Sequence, residues 1–209
     1  MKQRIKKILN TVFFIIHALF NWRCFKNLKL RLNQIYSMWI SNELKSSGRN
    51  IYIQYPIYLH GGCNVIIGEN FSAGLRMRLE AYTYHLGYSF SPSIIIGNNV
   101  SINHDCHIGA INNIIIEDNV LIASKVFITD HYHGEITSAA IKIPPSERKL
   151  YSKGFIKIEK NVWIGEGVAI LPNVTIGENS IIGANSVITR NIPKNSIVGG
   201  NPARVIRTL

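Results

Sequence analysis

The fold is decided by the stretch from Phe155 to Ile192, which reads FIKIEKNVWIGEGVAILPNVTIGENSIIGANSVITRNI. Isoleucine recurs there at a strict interval of six residues, at positions 158, 164, 170, 176, 182 and 188. Neither the 3.6-residue period of an α-helix nor the two-residue period of a strand accounts for this interval. A coil does, in which each hexapeptide is a short extended segment plus a turn. We therefore predict stacked coils that bury a continuous ladder of isoleucines.

The same interval occurs earlier, with isoleucines at 96, 102 and 108 and again at 116, 122 and 128. We interpret the asparagines and glycines between them as turn residues without a role in a site. Two stretches break the repeat. Residues 80–93 are aromatic and polar, which predicts a loop or bulged strand whose tyrosines could stack on a sugar or contact another subunit. Residues 129–157 form a long excursion, and long loops on a rigid scaffold tend to carry function.

Three segments, IGEGV (164–168), IGENS (176–180) and IGANS (182–186), resemble the repeats of the hexapeptide-repeat acyltransferases. The sequence VGGNPARVIR (198–207) is similar to the end of galactoside and maltose acetyltransferases and of sugar O-acetyltransferases of polysaccharide synthesis. The resemblance covers residues 50–209. It implies an all-β domain, a left-handed parallel β-helix with three hexapeptides per turn, which is active as a homotrimer and uses acetyl-CoA as the acyl donor. A fold alone does not fix the chemistry.

Basic residues are concentrated at the N-terminus. The 209-residue chain carries a net charge of +11, and residues 1–49 hold ten Lys or Arg against one Glu, a net +9. The rest of the chain is nearly balanced, so we expect no nucleic-acid partner. Three scattered cysteines without CxxC spacing fit a reducing cytoplasm better than a disulfide framework. We predict two parts: a basic helical arm at 1–49 and an acyltransferase domain at 50–209.

The arm has the pattern of two amphipathic helices, one from Ile5 to Phe20 and a second from Leu28 to Trp39. The uncharged run from Ile8 to Trp22 is fifteen residues long. A membrane-spanning helix needs about 20 residues, and no small-residue cleavage site of a signal peptide follows the run. Two interpretations stay open. The helices could bind peripherally to the anionic inner face of the cytoplasmic membrane, or they could pack on the coil or on a neighbouring subunit.

His131 is the strongest catalytic candidate. It opens the excursion immediately after VFIT (126–129), within the string DHYHG (130–134). The resemblance implies that a histidine at this point is the general base. A sugar hydroxyl attacks a thioester poorly unaided, and a neutral imidazole, with an ordinary pKa of about 6.5, can take its proton. Asp130 could orient an imidazole, although adjacent residues of an extended chain point apart. The role of His133 is left open.

Asn103 matches the asparagine that hydrogen-bonds the acceptor hydroxyl in the resembling enzymes, although it could equally be a turn residue. A rival class is the zinc-dependent γ-type carbonic anhydrases, because this chain also holds His85, His104 and His107. Their histidine spacing differs, and they lack both the NPAR sequence (201–204) and the long excursion. We therefore expect no metal.

The resemblance also carries contacts with acetyl-CoA onto residues of this chain: Trp163, Glu166, Ala184, Thr189, Arg190, Arg204 and Arg207. Trp163 and Glu166 stand at the start of the slot that would hold acetyl-CoA. For Glu166, only the backbone contact is carried over from the resembling enzymes. Ala184 matches a backbone contact to pantetheine. Thr189 and Arg190 stand where the relatives have Thr-Lys, a change that keeps the charge but not the geometry. Arg204 and Arg207 match terminal bases that meet the nucleotide phosphates.

The predicted function is transfer of acetyl from acetyl-CoA to a sugar hydroxyl of a bacterial surface glycan, in lipopolysaccharide, capsule or exopolysaccharide. The basic arm favours a lipid-linked acceptor over a free sugar. No Ser or Cys adjoins His131 in the sequence, so direct transfer without a covalent acyl-enzyme is expected. The alternatives are N-acetylation of an amino sugar, acetylation of another small molecule, and a non-catalytic trimeric scaffold.

Overall fold

A computed structural model describes residues 2–209, which form two α-helices followed by a coil of short β-strands. The helices are α1 (Lys2–Leu19) and α2 (Trp22–Ser41). The strands are β1 (Ser46–Ser47), β2 (Tyr52–Ile53), β3 (Ile57–His60), β4 (Val65–Ile67), β5 (Ser72–Ala73), β6 (Met77–Ala81), β7 (Tyr84–His85), β8 (Tyr88–Ser89), β9 (Ser93–Ile96), β10 (Ser101–Ile102), β11 (His107–Ala110), β12 (Asn113–Ile116), β13 (Leu121–Ile122), β14 (Phe127–Thr129), β15 (Tyr132–His133), β16 (Leu150–Tyr151), β17 (Ile156–Ile158), β18 (Trp163–Ile164), β19 (Ala169–Ile170), β20 (Thr175–Ile176), β21 (Ile181–Ile182), β22 (Val187–Ile188), β23 (Ser196–Gly200) and β24 (Ala203–Thr208).

The coil strands stack into three sheets. The first has the order β1-β4-β9-β12-β17-β20, the second β2-β5-β10-β13-β18-β21-β23-β24, and the third β3-β6-β11-β14-β19-β22. Consecutive strands of the regular coil fall in different sheets, so each turn contributes one strand to each face. Pairing within these sheets is parallel except for the final pair, β23 with β24, which is antiparallel. The predicted coil of stacked repeats is confirmed.

The isoleucine ladder occupies the interior of this coil. Ile158 pairs with Ile176, Ile164 with Ile182, and Ile170 with Ile188, one pair in each sheet. All six side chains are buried. The interval of six thus moves the chain from one sheet to the next, and eighteen residues complete a turn. Full burial of one such side chain contributes about 1.5–3 kcal/mol, so the ladder accounts for much of the core.

Asparagines make one corner of the coil. Seven of them have φ between 56° and 61°, the left-handed conformation that asparagine tolerates better than most residues. Six hydrogen bonds of 2.9–3.2 Å join them in a row, each from the side-chain Nδ2 of one asparagine to the Oδ1 of the next, in the order Asn50, Asn70, Asn99, Asn119, Asn161, Asn179 and Asn195. These residues are turn formers, as the sequence predicts.

The two helices of the arm differ in their packing. α2 lies against the first turn of the coil and buries Asn33, Ser37 and Ile40. The Ser37 hydroxyl accepts from Ile53 N at 2.7 Å, and Asn33 Oδ1 accepts from Tyr55 N at 3.2 Å. The packing interpretation therefore holds for α2. The first coil strand, β1, already begins within the segment predicted as the arm.

No side chain of α1 is buried. Among residues 2–209, no single helix is long and apolar enough to cross a membrane. By length and composition alone, α1 and α2 could do so only as a pair, bent by 54° at their junction.

Two hairpins leave the coil. Within the aromatic stretch 80–93, β7 and β8 form an antiparallel hairpin, which is more regular than the predicted loop or bulged strand. The coil is left again after β14 and rejoined at β17. In that excursion β15 and β16 pair antiparallel, with Tyr132 opposite Tyr151 and His133 opposite Leu150. Both hairpins project from the third sheet and its neighbouring corner.

Candidate active site

A cavity of about 240 Å³ lies on the third sheet, between the two hairpins. Its lining comes from three parts of the chain: the coil strands, the β7–β8 hairpin and the β15–β16 hairpin. The lining residues are Arg78, Tyr82, His85, His107, Phe127, Thr129, His131, His133 and Leu150. Four imidazoles therefore meet in one small cavity, and His131 is among them.

His131 is held by the aspartate that precedes it. Asp130 is fully buried, and its Oδ1 lies 3.0 Å from His131 Nδ1. The same carboxylate accepts from Ile111 N at 2.9 Å and from Asn112 N at 2.8 Å. Two backbone donors and one imidazole therefore satisfy a buried carboxylate, which would otherwise be costly to bury.

Asp130 and His131 do not point apart, as the alternation of side chains along a strand had predicted, but contact each other. Side chains alternate along a regular strand, but β14 ends at Thr129, and the chain turns out of the coil at these two residues. An ionised Asp130 makes Nδ1 the protonated nitrogen of His131. Nε2 is then the basic nitrogen, and it makes no hydrogen bond within the described part of the chain.

A second imidazole–carboxylate pair lies beside the first. His107 Nε2 is 2.7 Å from Glu80 Oε2, which also pairs with Arg78 Nη2 at 3.0 Å. Burial, followed by the nearby Arg78 charge, lowers the pKa of His107, although Glu80 opposes the shift. Burial would raise the pKa of Glu80, but hydrogen bonds from Tyr82 and Arg78 outweigh it, and the net shift is downward. The surroundings of His107 therefore favour the neutral form of its imidazole.

Gly109 keeps the space between the two imidazoles open. A Cβ on this residue would lie 3.3 Å from His107 Nε2 and 3.6 Å from His131 Cε1. On the other side, the ring of Tyr82 meets His131 edge-on, with centroids 6.1 Å apart. The cavity therefore borders the rings of both His107 and His131.

The sequence singled out His131, but it did not predict the Glu80–His107 pair. These two residues are 27 positions apart, and the β7–β8 hairpin lies between them. Only the register of β6 on β11, which places His107 opposite Arg78, brings them together. In the sequence, the one feature that could have indicated a role for His107 is its outward-facing position in the repeat.

Asn103 lies away from this cavity. It follows β10, on the second sheet, at the corner where the chain passes to the third sheet, and its side chain is exposed. Glu166 and Ala184 follow β18 and β21 at the same corner. A Cβ on Gly165 would come within 2.7 Å of Ala184 N, so these two coils are in direct contact. We name this edge, defined by Asn103, Glu166 and Ala184, the Asn103 corner.

The second sheet beside the Asn103 corner carries three further predicted residues. Trp163 is exposed on β18. Across the sheet it is followed by Ile181 on β21, Ile197 on β23 and Arg207 on β24, each paired with the one before it. Arg204 lies opposite Gly199 on the same final strand pair. Strands are spaced by about 4.8 Å, so the row from Trp163 to Arg207 makes a surface several strands wide. The Glu166 side chain turns to Lys125, with Nζ and Oε1 3.0 Å apart.

Thr189 and Arg190 lie at a different edge. They follow β22 of the third sheet and are exposed, two strands along from the end of β14. This edge, defined by His131, Thr189 and Arg190, is the His131 corner. The predicted site residues are thus divided between two corners of the coil, and their roles stay predictions.

No three His, Cys, Asp or Glu side chains of residues 2–209 are arranged to hold a metal ion. His104, one of the three histidines of the zinc alternative, instead accepts a hydrogen bond from Leu75 N through Nδ1, at 3.1 Å.

Comparison with known proteins gives one consistent family. The profile of the family described as bacterial transferase hexapeptide (six repeats) matches residues 155–190. The chain is 38% identical over 159 residues to the putative lipopolysaccharide biosynthesis O-acetyl transferase WbbJ of Escherichia coli K12, covering 74% of this chain and 77% of the relative. The galactoside O-acetyltransferase of the same strain is 33% identical over 81% of this chain and 66% of its own length.

Among solved structures, galactoside acetyltransferase in complex with coenzyme A superposes with a TM-score of 0.52 at 31% identity, over 82% of this chain and 68% of that one. Together these findings define a hexapeptide-repeat acyltransferase. The chain belongs to the hexapeptide-repeat acetyltransferases, and it is an enzyme that uses acetyl-CoA as its acyl donor.

Proposed function

We propose that the enzyme acetylates a sugar hydroxyl of a bacterial surface glycan, in lipopolysaccharide, capsule or exopolysaccharide. The observation that carries the proposal is the buried Asp130–His131 pair, which presents a free imidazole nitrogen to a cavity large enough for one sugar ring. The name of the E. coli relative, a lipopolysaccharide biosynthesis O-acetyl transferase, supports the same acceptor class. The expected coil is left-handed, as the family resemblance implies.

His131 acts as the general base in this proposal. Nε2 takes the proton of the acceptor hydroxyl as its oxygen attacks the thioester carbonyl carbon of acetyl-CoA. The tetrahedral intermediate collapses and the carbon–sulfur bond breaks. The departing thiolate of coenzyme A then takes the proton from the imidazolium. Asp130 stabilises that imidazolium through Nδ1–H.

No covalent acyl-enzyme is needed for this reaction. The Thr129 hydroxyl lies 3.2 Å from Nδ1, the nitrogen that already carries a proton, so His131 cannot deprotonate it there. Cys106 is buried in the core, and burial raises the pKa of its thiol to about 11. A thiol in that state is a poor nucleophile at neutral pH.

The test of the function is incubation with acetyl-CoA and purified glycan intermediates, followed by mass spectrometry. A gain of one acetyl mass that mild alkali removes indicates an O-acetyl ester, and an alkali-stable gain indicates N-acetylation of an amino sugar. A protein that transfers no acetyl group to any glycan contradicts the proposal and favours the non-catalytic scaffold.

The active unit is proposed to be a homotrimer. His131 lies at one corner of the coil, while Asn103, Glu166 and Ala184 lie at another. A site that combines them needs the His131 corner of one copy to face the Asn103 corner of the next. Such a head-to-tail contact closes into a ring when the rotation between copies is a whole fraction of a turn, and the family resemblance implies three copies. We expect light scattering to give three times the mass of the 23.6 kDa chain; a fully active monomer would contradict this.

The arm is proposed to hold the enzyme on the inner face of the cytoplasmic membrane, next to a lipid-linked acceptor. Helix α1 begins with Lys2, Arg4, Lys6 and Lys7 and continues with bulky apolar residues, none of them buried. Each base near an anionic membrane surface contributes about 1 kcal/mol to binding, and the exposed apolar face adds insertion into the headgroup region.

Deleting residues 2–20 is expected to abolish binding to vesicles that contain phosphatidylglycerol, because it removes the four bases and the apolar face together. The coil should keep its melting temperature, since α1 buries nothing and α2 stays in place. Cosedimentation with anionic and neutral vesicles measures the effect. If the undeleted protein does not cosediment with anionic vesicles, α1 serves contacts between proteins instead.

A further inference from the structure

The imidazole of His85 contains an unsatisfied nitrogen. Of the buried side-chain nitrogen and oxygen atoms in residues 2–209, His85 Nε2 is the one without a hydrogen-bond partner. Native proteins keep few such atoms, because leaving a buried donor or acceptor unpaired destabilises the fold. A residue that served only to pack the hairpin would do so better as an apolar side chain.

His85 lies at the active site, although its Nε2 has almost no solvent-accessible surface. His85 ends β7 and lines the cavity that contains His131. Its ring meets that of His133 at nearly a right angle, with centroids 6.2 Å apart. The Nζ of Lys149 lies 4.7 Å from the centre of the Tyr88 ring, so the β7–β8 hairpin also contacts the excursion. The two hairpins together form a roof over His131, and His85 is part of it.

We propose that His85 is a specificity-determining residue for the acceptor sugar. A turn of its ring about the Cβ–Cγ bond brings Nε2, which has no partner inside the protein, into the cavity, where it hydrogen-bonds a hydroxyl other than the one that is acetylated. This inference rests on the proposed function. A sugar hydroxyl both donates and accepts, so it can pair with either tautomer of the imidazole. A site built to pair with a hydroxyl rejects an analogue that lacks it, because the buried nitrogen is then left unpaired.

The size of the cavity restricts what His85 can recognise. At about 240 Å³ it is smaller than the sites of drug-sized ligands, which span roughly 300–1,000 Å³. One pyranose ring can be held between His131 and the roof, while further sugars of a chain extend outside. The hydroxyl bound by His85 therefore belongs to the same ring as the hydroxyl that His131 deprotonates.

The test compares His85→Phe and His85→Leu, which keep an apolar filler and remove the nitrogen, with His85→Gln, whose amide reaches the position of Nε2. The acceptor probe is whichever of the p-nitrophenyl galacto-, gluco-, manno- and rhamnopyranosides the wild-type enzyme acetylates fastest. Ser89→Ala, on the exposed strand of the same hairpin, is the matched control. Product is quantified by chromatography, because the exposed Cys24 and Cys63 would react with a thiol reagent.

We expect His85→Phe and His85→Leu to raise the acceptor KM about tenfold, with kcat and the KM for acetyl-CoA unchanged and with substantial recovery in His85→Gln. Loss of one uniform binding contact produces this pattern. Unchanged acceptor KM in the folded Phe and Leu variants, or a loss confined to kcat, overturns the role of His85 and leaves the proposed function intact. Wild-type enzyme that acetylates none of the glycosides or purified glycans contradicts the function itself, and His85 loses its role with it.

Discussion

Replacing His131 with alanine is expected to lower turnover by roughly 10²–10⁴ with little change in the affinity for acetyl-CoA. The reason is that the imidazole acts on the acceptor proton in the transition state, while the donor is bound by other groups. The measurement is the steady-state rate of acetyl transfer, together with calorimetric binding of coenzyme A.

His133→Ala serves as the comparison, because this second histidine of the DHYHG string is exposed on β15. We expect His133→Ala to lower turnover much less than His131→Ala does. If the two variants exchange their effects, His133 is the base and the predicted register is wrong by one turn of the excursion. If neither variant slows the reaction, the chemistry does not depend on this cavity.

Asp130→Asn is expected to produce the second largest loss, roughly 10²–10⁴ in turnover. The amide has the same shape but no negative charge, so it does not stabilise the imidazolium and does not fix the proton on Nδ1. One of its two positions is also an NH₂ group, which leaves Ile111 N or Asn112 N without an acceptor. An unsatisfied buried donor lowers the free energy of unfolding by about 1–3 kcal/mol, which thermal denaturation can detect.

Asp118→Asn is the matched control for Asp130→Asn. Asp118 also accepts from a backbone N–H, that of Asn98, but it lies on the exposed edge of the coil. It should change neither turnover nor coenzyme A binding. Equal losses of activity in the two variants would mean that Asp130 acts through the stability of the coil rather than through His131.

The coil could be predicted from the sequence because its determinant is strictly local. An isoleucine every six residues, with asparagine or glycine at the turns, leaves one solution, and the buried pairs Ile164–Ile182 and Ile170–Ile188 follow from it. The position of His131 could be predicted for the same reason, since it directly follows a repeat. The Asp130 contact could not, because strand alternation ceases where the chain leaves the coil.

For the arm, the sequence predicts the two helices but not which of them packs on the coil. Both helices have an apolar face and basic residues, so the pattern does not say which of them finds a partner. What distinguishes α2 is polar rather than apolar: Asn33 and Ser37, which hydropathy would place at the surface, are buried because they bond to the first coil. Likewise, the roof over the cavity depends on how two hairpins fold back, and no periodicity encodes that.

The contact of α2 with the first coil has a consequence for assembly. A stack of parallel coils resembles a growing one-dimensional crystal, since each coil offers its backbone as the template for the next. Side chains of α2 stop that growth at the first coil, because their oxygens accept hydrogen bonds from its backbone N–H groups. Ser37 accepts from Ile53, Asn33 from Tyr55, and the Tyr36 hydroxyl from Ile57. An exposed row of such amides invites another chain to add its own strand. A chain cut between α2 and the coil should therefore polymerise end to end into fibres, whereas a chain that begins at α2 should not.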